Sequence, residues 1–192
     1  MSKTAIAVIA VFAIGVLFVA SLAFGLIGFQ NKCNKAEIGI EATYQDNQNV
    51  YDNGWKRVVE LAQVPDQYTN RMKELYHEAM TSRYGPDGSK AFLQFITEQN
   101  PTLDADVFKK IQQAIETFRN AFEQAQRELI SKKQSYEEYY GATNSGRFYN
   151  WVSGWFGTSY PKYEAGKYDI VSSARTNQVF ETKQDEPLVL PK

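Results

Sequence analysis

Histidine and cysteine, two residues on which many metal and nucleophilic sites depend, occur once each in this chain, as His77 and Cys33. A lone cysteine cannot form a disulfide bridge within its own chain. Residues 30–32, just before Cys33, are not the small apolar residues that precede a lipidated cysteine. His77 follows Glu74 at the Glu-x-x-His spacing of di-iron bundles, but those bundles need two such motifs and two further glutamates. Because there is no second histidine, we predict an ordinary helical pair here.

Sequence motifs for catalysis and for nucleic-acid binding are missing as well. The chain has no G-x-S-x-G sequence and no Cys–His pairing suited to nucleophilic catalysis. Residues 85–90, GPDGSK, lack the Gly-Lys-Ser/Thr order of a phosphate loop, so we predict a plain turn. The net charge of −1 gives no indication of nucleic-acid binding. We therefore expect no catalytic, cofactor-binding or metal-binding residue, no cofactor, no nucleic-acid partner and no enzymatic activity.

Charged side chains are absent from Thr4 to Phe29, a run of about 26 residues that would reach roughly 39 Å as a helix. The hydrocarbon layer of a bilayer is only ~30 Å thick, and in lipid a helix satisfies every backbone hydrogen bond within one segment. The run therefore predicts a single transmembrane helix and a lipid bilayer as the first partner. We assign these residues as representative anchor positions: Thr4, Phe12, Leu17, Phe24 and Phe29.

Two other interpretations of the apolar run remain open. A cleaved signal peptide has an apolar core of roughly 7–15 residues and a small-x-small cleavage site. Ser21-Leu22-Ala23 offers such a site, but the run continues to Phe29. A helix buried in a soluble core is the second alternative. Lys3 on one side and Lys32 and Lys35 on the other leave the membrane orientation undecided.

Proline is absent between the apolar run and Pro65, so the membrane helix is predicted to continue into water. Beyond the run, apolar and aromatic residues recur at helical spacing along one face: Tyr44, Tyr51, Trp55, Val58 and Ala62. Residues 47–49, Asn-Gln-Asn, interrupt this face with a polar layer, which a coiled-coil seam tolerates better than a globular core. Tyr44, Tyr51 and Trp55 are candidate interface residues that face either a second copy or the long helix of the same chain.

Three further helices are predicted beyond Pro65. The first covers about residues 66–83, and the second follows a turn at residues 85–88 with Ser89 as its N-cap. The third is the longest, with about 37 residues between Asp104 and Gly141. Its apolar residues step along one face by three, four or seven. We expect the first five of them to be buried: Phe108, Ile111, Ile115, Phe118 and Phe122.

The composition changes after the long helix. Residues 148–157 concentrate aromatic side chains, among them Trp151, Trp155 and Phe156. Trp and Tyr favour the headgroup level of a bilayer, so these three are candidate interface residues at the membrane. A cap on the bundle core and a contact with a neighbouring copy are the alternatives. Further on, residues 168–171 and 178–181 flank a polar turn and predict a β-hairpin.

These patterns together predict a mainly α fold. A single N-terminal transmembrane helix continues into an antiparallel bundle of long helices, which a small C-terminal β-hairpin follows. The predicted domains are a transmembrane anchor at 1–30, a helical bundle at 31–141, and a segment at 142–192. The last of these contains the aromatic cluster, the hairpin and an extended tail.

Residues 29–62, FQNKCNKAEIGIEATYQDNQNVYDNGWKRVVELA, resemble the LemA family, whose members carry YNxLVxLxxxVxxAW and then NQYxRRADLIPNLV after an N-terminal membrane segment. Asn31 stands at the Asn of YN, Tyr44 at the Trp, and Asn49 and Tyr51 keep the ends of NQY. The paired arginines and the Ile-Pro are absent. Asn100-Pro101 resembles the family's Tyr-Pro before its last long helix, which residues 108–140 resemble, and Trp155-Phe156-Gly157 resembles the closing Phe-Gly.

This resemblance implies an antiparallel helical bundle on a single-pass anchor, with no accepted enzymatic activity. It also implies a bacterial-type cytoplasmic membrane with the helical domain on the periplasmic or extracellular side. Two classes of function follow. The first is a structural scaffold that self-assembles into a homo-oligomer at the membrane surface. The alternative is a binding or regulatory module that recruits another envelope or membrane protein.

Overall fold

A computed structural model describes residues 3–81, 86–164, 166–172 and 181–182 of the chain. This part is mainly helical, as predicted. The α-helices are α1 (Lys3–Ala62), α2 (Thr69–Thr81), α3 (Pro86–Gln99), α4 (Ala105–Glu137) and α5 (Asn144–Trp155). A 3-10 turn at Asp66–Tyr68 precedes α2, and a π-helical turn at Glu138–Ala142 extends α4.

Helix α1 runs without a break for 60 residues, from the apolar run into the polar part of the chain. The prediction that the helix of the apolar run continues into the polar part of the chain is therefore confirmed. Gln63 follows it with a φ of 50°, and Pro65 lies just beyond, where it cannot extend the helix. The described chain divides into two compact units, residues 1–42 with 130–168 and residues 43–129 with 169–192.

The second unit, built on residues 43–129, contains a hydrophobic core shared by four helices. Its buried members are Val58 and Ala62 of α1; Met72, Tyr76, Ala79 and Met80 of α2; Phe92 and Ile96 of α3; and Ile111, Ile115 and Phe122 of α4. Contacts within this unit pair Tyr51 with Phe122 and Asn47 with Ala125, so the residue numbers run in opposite directions along α1 and α4. The two helices are antiparallel here, as predicted.

The predicted buried stripe of α4 is correct at three positions and wrong at two. Ile111, Ile115 and Phe122 are buried, whereas Phe108 and Phe118 are only half-buried. Phe108 lies in the first turn of α4, and helix ends have fewer neighbours. Phe118 packs at the edge of the core. The periodicity of a single helix shows which residues share a face but not how far a partner helix covers it.

The first unit, built on residues 1–42 and 130–168, has a smaller and more aromatic core. Its buried residues are Phe29, Cys33 and Ile40 of α1, Tyr136 of α4, Ser153 of α5, and Tyr160 and Tyr168 beyond α5. The Phe29 ring is stacked on Tyr139 and Tyr149, with centroids 5.6 and 5.9 Å apart, and meets Tyr160 edge-on at 5.8 Å. The end of the apolar run is therefore buried against the C-terminal part of the chain.

The start of α3 differs from the predicted turn and cap. Helix α3 begins at Pro86, so Ser89 lies inside it and is buried rather than acting as the N-cap. Proline is favourable in the first helical turn, where its missing N–H has no intrahelical partner to lose. The Gly-Pro-Asp-Gly sequence was a misleading turn signal because the same proline can open a helix. Gly85 lies outside the described residues.

The predicted β-hairpin is not supported, and the described residues contain no strand. Tyr168 lies in a turn, is buried against Tyr163, and its carbonyl accepts a 3.1 Å hydrogen bond from Lys133 Nζ. The N–H of Val171 donates to Gln126 Oε1 at 3.3 Å instead of to a strand. Side chains of α4 thus occupy backbone groups that a β-ladder would need. Residues 178–180 of the second predicted strand lie outside the described residues, and Glu181 is helical.

Candidate functional site

The predicted anchor positions lie on the apolar first half of α1. Phe12, Leu17 and Phe24 are 73%, 69% and 76% exposed, and Thr4 is also exposed. Phe29 is instead buried by the aromatic core of its unit. Among the described residues, α1 is the one helix long and apolar enough to span a membrane by length and composition. Such an exposed apolar surface is unfavourable in water.

Helix α5 presents the predicted aromatic residues at its surface. Trp151, Trp155 and Phe156 are 58%, 69% and 71% exposed. The two tryptophans lie one turn apart and their ring centroids are 4.4 Å apart. Phe148 adjoins Trp151 at 6.4 Å. Together with Phe156, which follows Trp155 directly, these exposed rings make up what we call the α5 aromatic face (Phe148, Trp151, Trp155 and Phe156).

Tyr149 holds α5 against α1. Its ring is stacked on Phe29, and its hydroxyl lies so close to Gly25 that a Cβ there would be 2.7 Å from Tyr149 Cζ. Glycine at position 25 is therefore required for the close approach. Asn150 joins α5 to the segment after it, since its amide donates to Tyr160 O at 3.0 Å and accepts from Tyr160 N at 2.9 Å.

Helix α5 begins at a well-formed cap. The hydroxyl of Thr143 accepts a 3.0 Å hydrogen bond from the N–H of Gly146, which satisfies one of the free donors of the first turn. The cap sets the point at which the chain turns out of α4. The cap at Thr143 and the hydrogen bonds of Asn150 hold α5 in place. The contact of Tyr149 with Gly25 and Phe29 packs this helix, and with it the α5 aromatic face, on the last turns of the apolar run.

The predicted seam residues of α1 lie within the second unit. The ring of Tyr51 contacts Tyr76 at 5.3 Å and Phe122 at 5.6 Å, and Trp55 contacts Tyr76 at 5.4 Å. These partners belong to α2 and α4 of the same chain. The sequence left two partners open for this face, a second copy or a helix of the same chain. At Tyr51 and Trp55 the partners are helices of the same chain. Tyr44, the third predicted interface residue, is half-buried and lines a groove.

This groove, which we call the Asn47 groove, has a volume of about 470 Å³. It lies entirely within the second unit, and its lining includes Tyr44, Asn47, Tyr51, Asp52, His77 and Phe122. The hydroxyl of Tyr51 and Nδ1 of His77 are joined by a 3.2 Å hydrogen bond. The groove thus combines aromatic rings, side-chain amides and one carboxylate.

Asn47 is the unusual residue of the groove. It is only 3% exposed, and its Nδ2 donates a 3.3 Å hydrogen bond to the carbonyl of Ala125 on α4. Its Oδ1 is buried without a hydrogen-bond partner, and it is the one such side-chain atom found in the part of the chain that the structure describes. Buried polar atoms are nearly always paired, so this unpaired acceptor is an exception within the second unit.

The electrostatics of the groove are set by burial and by Asp52. Burial, and then the negative charge of Asp52, raise the pKa of Tyr51 to about 12. The same causes, together with Tyr51, raise the pKa of Tyr76, whose hydroxyl donates to the carbonyl of Tyr51 at 3.2 Å. Of the described lining residues, Asp52 is the one with a formal charge when His77 is neutral. The site therefore favours positive over negative ligands.

The Glu74–His77 pair is engaged with other residues. Glu74 forms a 2.9 Å ion pair with Arg71 at the surface, and Nδ1 of His77 shares a hydrogen bond with the hydroxyl of Tyr51. In the described residues, no group of three or more His, Cys, Asp or Glu side chains is placed to hold a metal ion. Residues 86–90, from the GPDGSK sequence, lie in the first turns of α3.

Sequence reasoning missed the Asn47 groove. The signal was present in the polar residues 47–49, which break the apolar seam of α1, but a polar layer also suits a coiled coil. His77 and Asn47 are distant in sequence and on different helices, so only the packing of α2 on α1 brings them to one groove.

No protein-family model, no curated protein and no solved structure matches this chain. The resemblance to the LemA family therefore stays a prediction.

Proposed function

We propose that this chain is a non-catalytic helical-bundle protein anchored in a bilayer by residues 4–29 of α1. The observation that carries the proposal is the docking of α5 on the last turns of the apolar run through Tyr149, Gly25 and Phe29. It brings a second apolar surface, the α5 aromatic face, beside the apolar helix within one compact unit. Both surfaces are stabilised if lipid covers them.

The α5 aromatic face suits the headgroup layer of the membrane. Trp rings favour this level because their bodies are apolar while the indole N–H stays hydrated. Trp151 and Trp155 lie on the exposed side of α5, away from the contact that Tyr149 makes with α1. Residues 25–29, on which α5 is docked, end the apolar run, where a spanning helix leaves the hydrocarbon.

Quenching of tryptophan fluorescence by brominated lipids tests this arrangement. The Trp55→Phe variant reports on Trp151 and Trp155 alone, because the chain has three tryptophans. Its fluorescence should be quenched most strongly by bromine placed near the headgroup end of the acyl chains. The matched control is the Trp151→Phe, Trp155→Phe variant, whose remaining Trp55 lies on α1 well past the apolar run and should be quenched little.

Absence of quenching in the Trp55→Phe variant would place the α5 aromatic face away from lipid. Equal quenching of both variants at every bromine depth would show that the signal is not specific to α5. N-terminal sequencing of the membrane-extracted protein adds an independent check on the anchor. A start at Phe24 would mean that the apolar run is a cleaved signal peptide.

The role that we propose for the anchored bundle is structural, through self-assembly at the membrane surface. A single-pass anchor confines all copies to two dimensions and raises their effective concentration. Because Tyr51 and Trp55 pack within the chain, assembly has to use another surface, and the side of α1 that exposes Ile38 is a candidate. A monodisperse monomer in mild detergent, at concentrations comparable to a crowded membrane, would contradict self-assembly.

A binding or regulatory module is the second candidate function. The Asn47 groove favours it, because a concavity of about 470 Å³ lined by aromatic rings and a few polar side chains is the form that small-molecule sites take. A module that recruits another envelope or membrane protein would be a small particle when purified alone and would co-purify with that protein from the membrane.

We also propose, from the resemblance to the LemA family, that the bundle faces the periplasmic or extracellular side of a bacterial cytoplasmic membrane. Reporter fusions at the C-terminus test this orientation.

A further inference from the structure

We propose that the surface around α5 selects anionic phospholipids, with the exposed side chains of Lys32 and Arg147 facing their phosphate groups. The inference rests on the proposed membrane anchor and adds which lipids lie next to the bundle. The partner is a bilayer surface rather than a single bound molecule, so the two basic residues act on neighbouring headgroups. Its defining chemistry is a phosphate whose negative charge no ammonium group of the same lipid balances, as in phosphatidylglycerol.

The first step is the distribution of charge at the end of the apolar run. Three tyrosines of residues 139–163 pack their rings on Phe29, so this segment surrounds the end of the run together with residues 30–36. Neither segment contains an acidic residue. Together they contain four basic residues: Lys32, Lys35, Arg147 and Lys162. Basic residues just outside the hydrocarbon attract anionic lipids over about one Debye length. Their position therefore favours an anionic leaflet, although the whole chain has a net charge of −1.

The second step is that no carboxylate neutralises Lys32 or Arg147. Among the described residues, neither forms an ion pair. The acids that flank the two segments, Glu37 and Glu138, are placed otherwise. Glu37 accepts a 2.6 Å hydrogen bond from the backbone N–H of Lys162, and Glu138 is exposed. The positive charges of Lys32 and Arg147 are thus left to act on groups outside the chain.

The third step is that Tyr139 brings Lys32 and Arg147 to the same end of the apolar run. Its ring is stacked on Phe29, and Nζ of Lys32 lies 5.4 Å from the centroid of that ring. Its carbonyl lies so close to Gly146, the residue before Arg147, that a Cβ on Gly146 would collide with it. One tyrosine therefore fixes where α1 presents Lys32 and where α5 presents Arg147.

The fourth step is a groove on α5, which we call the Arg147 groove, with a volume of about 510 Å³. It lies within the first unit, and its lining includes Tyr140, Arg147, Asn150, Trp151, Trp155 and Ser159. Arg147 is the one formally charged residue of the described lining. A guanidinium group pairs well with phosphate oxygens, and the hydroxyls of Tyr140 and Ser159 are further donors.

The spacing along α5 suits a residue that reaches from the acyl chains to the phosphates. Arg147, Trp151 and Trp155 are four residues apart, so they share one face of the helix. The two exposed indole rings suit the glycerol and upper acyl region. A long arginine side chain extends from such a position to the headgroup level. The α5 aromatic face and the Arg147 groove thus offer apolar and phosphate contacts side by side.

Other occupants of this surface fit less well. Pairing of two copies through it would bring like charges together, which is unfavourable across an interface. A soluble acidic peptide would have to compete with lipids that the anchor keeps beside α5 at a very high effective concentration. A zwitterionic lipid carries the same phosphate, but its own ammonium group reduces the attraction. The anionic phospholipid is therefore the occupant that the charges favour.

Tryptophan quenching in one mixed bilayer tests the proposal. The full-length Trp55→Phe chain is reconstituted in vesicles of equal parts phosphatidylcholine and phosphatidylglycerol, with bromine on the acyl chains of only one of the two lipids. Trp151 and Trp155 line the Arg147 groove, so their fluorescence reports on the lipids beside it. Brominated phosphatidylglycerol should quench more strongly, by an amount equivalent to an association about two- to fivefold tighter. Salt at about 1 M should remove most of this preference.

Charge variants in the same background distinguish the proposed contacts from the charge of the whole chain. Arg147→Gln and Lys32→Gln should each lower the preference for phosphatidylglycerol, and the double variant should lose most of it. Lys132→Gln is the matched control, because it removes the same charge from an exposed residue of α4 about 10 Å before Tyr139 along the helix. It should keep the preference of the parent chain. Quenching with both lipids brominated should be equal in all variants, which shows that α5 is still at the membrane.

The results that would overturn the proposal differ from those that would overturn the anchor. Equal quenching by the two brominated lipids in the parent chain would leave α5 at the membrane but without lipid selectivity. A preference that survives the double variant, or that Lys132→Gln lowers equally, would assign the effect to the overall charge. Absence of quenching by either lipid would contradict the proposed function itself, as expected if a second copy covers α5, and this inference would fall with it.

Discussion

The hydroxyl of Tyr136, on α4, donates a 2.7 Å hydrogen bond to Oε1 of Glu37 on α1. The same carboxylate oxygen accepts the backbone N–H of Lys162. Tyr136 is buried, and its ring lies 4.8 Å from Tyr140. One carboxylate therefore joins α1, α4 and the segment after α5 within the first unit, and a charged acceptor makes these bonds stronger than neutral ones.

The Tyr136→Phe variant removes this hydrogen bond while keeping the ring. We expect a loss of about 1.5–3 kcal/mol in the free energy of unfolding, the usual cost for a hydrogen bond to a charged group. Tyr140→Phe is the matched control, because Tyr140 contacts the same ring but is only half-buried. Urea unfolding in mild detergent measures the free energy of unfolding of both variants. Equal, small losses in the two variants would mean that the Glu37 bond contributes little.

Alkaline pH should destabilise the fold through its buried tyrosines. Burial raises the pKa of Tyr51 and of Tyr163 to about 12, and burial with the Glu37 bond raises that of Tyr136. In the unfolded chain a tyrosine loses its proton near pH 10, so above this pH the folded state holds more protons than the unfolded state. Stability is thus fully present below about pH 10 and decreases as the pH rises toward 12.

Thermal unfolding between pH 8 and pH 12, with phenolate absorbance as a second signal, measures this decrease. The Tyr51→Phe, Tyr163→Phe variant lacks two of the groups responsible, so its melting temperature should depend less steeply on pH above about pH 10. Identical pH profiles for this variant and the parent chain would assign the effect to other groups.

Alanine at Gly54 and at Gly39 should change stability in opposite directions, although both glycines lie inside α1. A Cβ at Gly54 would meet the Tyr76 hydroxyl and lie 2.9 Å from Phe118 Cγ, whereas nothing lies within 4 Å of a Cβ at Gly39. Gly39→Ala should stabilise by about 0.5–1 kcal/mol through helix propensity. Gly54→Ala should destabilise by about 1–3 kcal/mol through overpacking. Stabilisation by both would show that α2 does not approach α1 so closely.

A larger residue at Gly25 should release α5 from α1. Gly25→Val places a branched side chain where the Tyr149 ring lies, so we expect the Trp151 and Trp155 fluorescence to change and α5 to become sensitive to protease. Gly28→Val is the matched control, because no atom lies within 4 Å of a Cβ there. If both variants keep the parent emission spectrum and protease resistance, Tyr149 does not depend on Gly25 for its docking.

The correct predictions were those that depend on local sequence. The absence of proline up to Pro65 predicted that α1 continues beyond the apolar run, and a long apolar stripe predicted α4. The failures arose where a local signal has two outcomes. Proline is favourable both inside a turn and in the first turn of a helix, and Pro86 begins α3. Tyr168 and Val171 suit a strand by residue type, but their backbone groups form hydrogen bonds with side chains of α4. For residues 178–180 the prediction lies outside the described part of the chain.

The sequence by itself determined that this protein is mainly helical and that its first helix has an uncharged length sufficient for a bilayer, because helix periodicity and hydropathy act over neighbouring residues. Only the tertiary structure decided which partner covers the seam at Tyr51 and Trp55, how Tyr149 seats α5 at Gly25, and that Asn47 and His77 line one cavity. These contacts join residues far apart in sequence. They depend on shape complementarity between helices, which no single helix encodes.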